Sequence, residues 1–208
     1  MADKSASATI LNHNYYNTDY GGWLGWNNGQ CYFGKNGDHY FPYILKFKTP
    51  SFDGGSKSVS FSFAIWRQKG TSSVACHYAI CSSDKNKDSY VGKSGSVTDE
   101  YQVATGKVTF SNLSGSGVTY EKTFTANVSG LRPNTTYYLY FWPATTGSQF
   151  AVMMEPSYIS ATLYYIQGLV YLDSGSKEEA YQSYIDNGSS WDLFIPNGDN
   201  GSGWDIFS

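Results

Sequence analysis

The residue types that most often carry out catalysis are few in this chain. Its 208 residues include three histidines and three cysteines. A hydrolytic triad needs a nucleophile, a histidine and an acid that orients it, but no Gly-x-Ser-x-Gly elbow occurs. Neither a Cys-x-x-Cys nor a His-x-x-x-His pair is present, and no two carboxylates stand out as an acid–base pair for glycoside hydrolysis. We therefore expect no catalytic residues, no cofactor and no enzymatic activity.

One short segment carries oxygen ligands at alternating positions. Asp84, Asn86 and Asp88 follow the spacing at the start of a calcium-binding loop, in which carboxylate and amide oxygens coordinate the ion. The later glycine and bidentate glutamate of such a loop are missing, and the two intervening lysines oppose a cation. The pattern favours a solvated loop, and we predict no metal site, while calcium binding by this segment stays open.

Aromatic side chains are a better indication of binding. The chain has 19 tyrosines, 12 phenylalanines and six tryptophans. On a strand over 136–142, Tyr138, Tyr140 and Trp142 share one face. The opposite face carries Tyr137, Leu139 and Phe141. One face should fill the core, and the Tyr138–Tyr140–Trp142 row is then either a flat platform that stacks sugar rings or a surface covered by a second layer or subunit.

A second aromatic group lies in a Gly- and Asn-rich stretch without strand alternation. Trp23 and Trp26 are its tryptophans, and its tyrosines are Tyr15, Tyr16 and Tyr20. Loops at the ends of a sandwich commonly carry binding residues. Trp23 and Trp26 are therefore candidates for glycan contact, and the alternative is that they close the end of the sandwich.

Hydrophobic alternation predicts the strands that position these residues. In 57–67, Val59, Phe61, Phe63 and Ile65 share one face, and small polar residues occupy most of the other. Further strands are expected at 6–11, 30–33, 40–48, 74–82, 107–110, 118–128, 136–142, 160–166 and 169–172. Many short strands separated by turn residues predict an all-β protein, an antiparallel β-sandwich or jelly roll.

Composition and charge exclude several classes of protein. Apolar residues make up 40% of the chain, which is enough for a packed core and excludes wholesale disorder. The net charge is −3 and Arg67 and Arg132 are the only arginines, so we expect no nucleic-acid partner. No apolar run approaches the length of about 18 residues that spans a membrane. The start resembles no signal peptide, and three cysteines are too few for a disulfide framework, so we expect a chain made in reducing cytoplasm.

The chain changes character near Gln167. Residues 168–208 carry seven acidic side chains and one lysine. A repeat begins at Asp173, Asp186 and Asp199, with a spacing of 13 residues each time. The Gly-containing turn in each copy, set between apolar segments, predicts a strand–turn–strand unit. The sequence thus predicts a β-sandwich domain over 1–167 and a repeat tail of β-hairpin units over 168–208.

These repeat units are too small to bury their own apolar faces. Each unit must pack on its neighbours, on the sandwich or on another protein, unless the tail is a flexible acidic segment. The residues predicted to dock onto a neighbouring subunit are Trp191, Leu193, Phe194, Trp204, Ile206 and Phe207.

The segment from Leu131 to Tyr137 resembles the Leu-x-Pro-x-Thr-x-Tyr signature of fibronectin type III-like and related β-sandwich modules. The resemblance implies that Tyr137 forms a corner whose hydroxyl bonds to upstream backbone. It also implies that Leu139 and Phe141 point into the core. A domain of about 165 residues exceeds the usual length of about 100, so a jelly-roll or carbohydrate-binding-module-like sandwich is expected rather than a plain fibronectin domain.

The tail, with its Asp186-Asn-Gly-Ser-Ser-Trp191 type of repeat, resembles the C-terminal repeats of tail and virion structural proteins from phages and prophages of Gram-positive hosts. The resemblance implies a virion component, tail- or baseplate-associated and assembled in the host cytoplasm. Its expected partners are other virion subunits, including copies of itself, and host cell-surface polysaccharide. The alternative is a free-standing carbohydrate-binding module.

Overall fold

The computed structural model describes residues 3–24, 29–69, 72–113, 120–167, 170–173, 178–181, 184–186 and 191–193. These residues form β-strands, loops and two short 3₁₀ turns, and contain no α-helix. The part of the chain thus described has no helix long and apolar enough to cross a membrane. All strand pairs among these residues are antiparallel. The predicted all-β antiparallel class is confirmed.

Twelve strands form one continuous hydrogen-bonded sheet. They are β1 (Asp3–Asn17), β2 (Gly22–Trp23), β3 (Cys31–Asn36), β4 (His39–Phe41), β5 (Tyr43–Lys48), β6 (Gly54–Lys69), β7 (Val74–Cys81), β8 (Gln102–Phe110), β9 (Tyr120–Asn127), β10 (Thr136–Pro143), β11 (Gln149–Met153) and β12 (Ile159–Gln167). The tail adds β13 (Val170–Asp173), β14 (Glu178–Tyr181), β15 (Tyr184–Asp186) and β16 (Trp191–Leu193).

Strand β1 connects the two layers of the sandwich. Its residues 3–8 pair with β12, and its residues 9–15 pair with β5. The register shifts between Ile10 and Asn12, and such a bulge bends a strand and increases its twist. One layer therefore contains β12, β6, β9, β11, β3 and β4, and the other contains β5, β10, β7 and β8.

The core between the layers is largely aromatic. Phe61 of β6 meets Phe47 of β5 edge-on at 5.1 Å between ring centroids, and Phe63 meets Phe141 of β10 at 5.8 Å. The predicted inner face of β6, Val59, Phe61, Phe63 and Ile65, is fully buried. Burying one such side chain stabilises the fold by about 1.5–3 kcal/mol. The predicted orientation of this strand is confirmed.

The strand predicted over 40–48 is two strands separated by Pro42. Proline has no N–H to donate to a ladder and fixes its own φ, so it interrupts a strand. Before Pro42, β4 pairs with β3, and after it β5 pairs with β1 and β10 in the other layer. Strand β11 was not predicted because its residues Phe150–Met153 are all buried, which removes the alternation that marks a strand.

The described part of the tail forms two hairpins. In the first, Asp173 pairs with Glu178, and in the second, Asp186 pairs with Trp191. The two pairs are displaced by 13 residues on each strand, so both hairpins have the same register. The third copy, which begins at Asp199, lies outside the described residues.

Candidate functional site

The aromatic row on the outer face of β10 lies mostly beneath a loop. Tyr140 is fully buried and Trp142 is 2% exposed, because residues 82–101 between β7 and β8 cover them. Tyr90 of this loop stacks on Tyr140 with ring centroids 4.4 Å apart. The indole N–H of Trp142 donates to the carbonyl of Gly95 at 2.7 Å. Tyr140 and Trp142 therefore do not form an open platform for sugar rings. Their side of the strand is instead covered by another part of the same chain.

Tyr138 is the member of the row that remains partly accessible. Its ring lies 5.9 Å from the ammonium of Lys46 on the neighbouring strand β5. A single half-buried ring paired with a lysine offers much less stacking area than the predicted row of three.

Asp99 holds the covering loop in place. This buried carboxylate accepts hydrogen bonds from the Asn86 amide (2.9 Å), the Tyr90 hydroxyl (3.1 Å) and the Tyr101 backbone N–H (3.0 Å). Burial raises the pKa of the Tyr90 hydroxyl far above its ordinary value, so Tyr90 remains a donor. These bonds link residues within the loop. Gln102 of β8 joins the loop to the sandwich, because its side-chain amide donates to the Tyr90 hydroxyl (3.1 Å) and to the Val97 carbonyl (2.9 Å).

Two of the three residues considered for calcium binding have other partners. The Asn86 amide faces Asp99, and the Asp88 carboxylate accepts a hydrogen bond from the Trp23 indole. Among the residues described, no group of three or more His, Cys, Asp or Glu side chains is arranged to hold a metal ion.

An open groove lies where the β1–β2 hairpin meets the covering loop. It is lined by Tyr16, Gly21, Gly22, Trp23, Asp88 and Val91. Tyr16 pairs with Trp23 across the two strands, and their rings meet edge-to-face at 5.6 Å. The Trp23 indole N–H donates to Asp88 Oδ1 at 2.6 Å. This bond joins residues 65 positions apart in the chain, so both the β1–β2 hairpin and the covering loop line the groove.

The turn between β1 and β2 exposes further aromatic and apolar surface. Gly21 adopts φ +64°, a conformation that favours glycine, and Asn17 accepts the Asp19 N–H at 2.9 Å. This turn leaves Tyr20 79% exposed, and Leu24 is exposed just beyond β2. The groove and its rim form the candidate functional site, in which Trp23 was predicted and Asp88 was considered only as a calcium ligand.

The other predicted site residues cannot be placed at this groove. Trp26 lies outside the described residues. Trp191 and Leu193 belong to β16, and their side chains are not described. Phe194, Trp204, Ile206 and Phe207 also lie outside the described residues. Docking through these side chains stays a prediction.

The histidine and cysteine side chains nearest the core are structural. His13 is buried between the Tyr43 hydroxyl and the Gly29 carbonyl, and burial lowers its pKa. Cys31, Cys76 and Cys81 are buried free thiols, and burial raises the pKa of Cys81 to about 12. A thiol that stays protonated at neutral pH is a poor nucleophile.

Comparisons with known proteins assign no family to this chain. No protein-family model matches the sequence, and no curated protein matches it. Among solved structures, the chain is similar to an arabinose-bound α-L-arabinofuranosidase at 8% sequence identity and a TM-score of 0.32, over 60% of this chain and 19% of that one. The chain thus spans about a fifth of that enzyme's length, and a likeness of this degree supports no functional argument.

Proposed function

We propose that this chain is a structural protein of a phage virion, associated with the tail or baseplate. In this role the sandwich forms the body of the subunit, and the acidic tail docks onto a neighbouring subunit. The observation that carries the proposal is the pair of tail hairpins in one register, 13 residues apart. A hairpin with three or four paired residues is marginal in water by itself and requires a surface to pack on.

The composition of the tail supports docking on another protein. Residues 168–208 combine two tryptophans with seven acidic side chains and one lysine. Large aromatics dominate interface energetics, and the acidic charge favours a basic or donor-rich partner surface. The strand β13 lies against β6 of the same chain, so packing of the tail on its own sandwich is the competing arrangement.

Truncation after Gln167 separates these two arrangements. We expect residues 1–167 to melt at nearly the same temperature as the full chain, and to lose the self-association of the full chain in light scattering. Trp191→Ala combined with Trp204→Ala should reproduce most of that loss. Tyr164→Ala, which removes an exposed aromatic of the sandwich, is the matched control. Unfolding of the truncated chain, with a monomeric full chain, would contradict docking on a neighbour.

The virion role itself is tested in particles. Mass spectrometry of density-purified phage particles from the strain that encodes this chain should detect it at a fixed ratio to the other subunits. Its absence from such particles would contradict the proposal.

A free-standing carbohydrate-binding module is the second candidate function. The open groove beside Trp23, with a carboxylate at its edge, favours it because sugars stack on aromatic rings and bond to carboxylates. A free-standing module would be monomeric, bind sugar by itself and be absent from particles.

A further inference from the structure

We infer that the groove lined by Trp23 and Asp88 binds a neutral sugar residue of a polysaccharide and disfavours acidic sugars. This inference rests on the glycan contact expected of the proposed virion protein, and it specifies the ligand class and the residues that select it. The groove is the place where the described residues join an accessible tryptophan, open space and an accessible carboxylate.

The apolar wall of the groove suits the C–H face of a sugar ring. Trp23 is half-buried, and the edge of Tyr16 fixes the orientation of its indole. A Cβ atom added at Gly21 or Gly22 would meet no heavy atom within 4 Å beyond the chain neighbours. The open groove lined by these glycines and Trp23 is where a pyranose would approach the indole.

The polar wall of the groove supplies an acceptor for sugar hydroxyls. Asp88 Oδ1 holds the Trp23 indole, and Asp88 Oδ2 has no hydrogen-bond partner among the described residues. Asp88 belongs to the 3₁₀ turn Lys87–Tyr90, whose Tyr90 is buried and bonded to Asp99. The carboxylate is thus held in position before a ligand arrives, which lowers the entropic cost of binding.

The charge of Asp88 determines which sugars fit. Within the described part of the chain no cation lies within ion-pairing distance of this carboxylate, because the ion pairs there join His39 to Asp19 and Lys57 to Asp3. A carboxylate that makes no ion pair repels the carboxylate of a uronic acid that approaches it. Neutral hexoses and N-acetylhexosamines, which present hydroxyl donors, meet no such repulsion.

Affinity electrophoresis of the full chain tests this assignment. The probes are gels that contain galactomannan, mixed-linkage β-glucan or α-mannan, with polygalacturonate as the acidic probe. We expect retardation by at least one neutral polysaccharide and none by polygalacturonate. Stacking on one ring gives weak binding, in the millimolar to micromolar range of roughly 10⁻³–10⁻⁶ M, which this assay tolerates.

Three variants locate the binding to the groove. Trp23→Ala should weaken the retardation about tenfold or more. Gly22→Leu should block the groove while the Trp23–Asp88 bond persists, which guards against misfolding as the cause. Asp88→Asn keeps an acceptor for the indole and removes the charge, so it should reduce the discrimination against polygalacturonate. The control is Tyr158→Ala, an exposed aromatic on another surface.

Each outcome of the experiment decides a separate part of the inference. Absence of retardation in all three neutral gels would overturn it, and so would retardation that Trp23→Ala and Gly22→Leu leave unchanged. Equal retardation of the unmodified chain by polygalacturonate would overturn the role of Asp88.

Incorporation of the Trp23→Ala variant into particles at the normal ratio would support the assignment of Trp23 to the glycan alone. Exclusion of this variant from particles would show that the groove is an assembly surface instead. Absence of the unmodified chain from particles contradicts the virion proposal and leaves the sugar result intact.

Discussion

The hydroxyl of Tyr137 accepts a hydrogen bond from the backbone N–H of Arg132 at 2.8 Å. The Tyr137 ring is buried and lies 6.1 Å from the Phe47 ring. The bond reaches back five residues and fixes the bend through which the chain enters β10. This geometry is that of the corner implied by the resemblance of the segment from Leu131 to Tyr137 to β-sandwich modules.

Tyr137→Phe should destabilise the fold by about 1–2 kcal/mol, because the ring stays and the partner of the Arg132 N–H is lost. The midpoint of urea unfolding measures this change. Tyr158→Phe, which alters an exposed ring, should change the free energy of unfolding by less than about 0.5 kcal/mol. Equal losses in the two variants would show that the corner bond does not stabilise the fold.

Phe63→Ala should destabilise the sandwich by about 3–5 kcal/mol, because it leaves a cavity between the two layers. Phe63 is fully buried and contacts Phe61, Phe110 and Phe141. Thr162→Ala on the outer face of the same layer is the control, with an expected change within about 0.5 kcal/mol. A loss below about 1 kcal/mol for Phe63→Ala would mean that the core does not depend on this contact between layers.

Asp99→Ala should release the covering loop without unfolding the sandwich. It leaves four donors, from Asn86, Tyr90, Tyr101 and the weakly donating Cys81 thiol, without their acceptor. Each loss of a normal hydrogen bond costs about 1–3 kcal/mol when the donor is buried. We expect faster amide hydrogen exchange over 82–101 and unchanged exchange in β6. Thr98→Ala, an exposed neighbour, should leave exchange in the loop as it is. Faster exchange throughout the sandwich would contradict a role confined to the loop.

The stability of the fold should fall as the pH is lowered below about 6.5. Burial lowers the pKa of His13 from its ordinary value of 6.5, and this effect exceeds the opposing ones of the Gly29 carbonyl and Glu155. The unfolded chain therefore binds more protons than the folded chain in this range. The full stability is present above pH 6.5 and declines from there toward the lower folded pKa.

His13→Gln should reduce the difference between the unfolding free energies at pH 7.5 and pH 5.5. Glutamine does not titrate but can still donate to Gly29 and accept from Tyr43. The pKa of His77 is lowered in the same direction, by burial and then by Lys107, so His13→Gln with His77→Gln should reduce the difference further. An unchanged pH dependence in His13→Gln would contradict this assignment.

The sequence by itself determined which face of most strands is apolar. In β6, alternation of Val59, Phe61, Phe63 and Ile65 with small polar residues is a local property, because successive side chains on a strand point to opposite sides. The same local logic predicted hairpin units in the tail, where turn residues separate short apolar segments. Local patterns also located the Tyr137 corner, through a resemblance carried by seven consecutive residues.

Only the tertiary structure decided what covers each face and which distant residues meet. Alternation marked Tyr140 and Trp142 as lying opposite the core, but residues 82–101 carry no period that would predict their packing over that face. The Trp23–Asp88 bond depends likewise on the contact between the β1–β2 hairpin and the covering loop, whose Tyr90 stacks on Tyr140. Contacts over such separations are set by the packing of the whole chain, because their favourable energy arises only after the hairpin and the loop are both held against the sandwich.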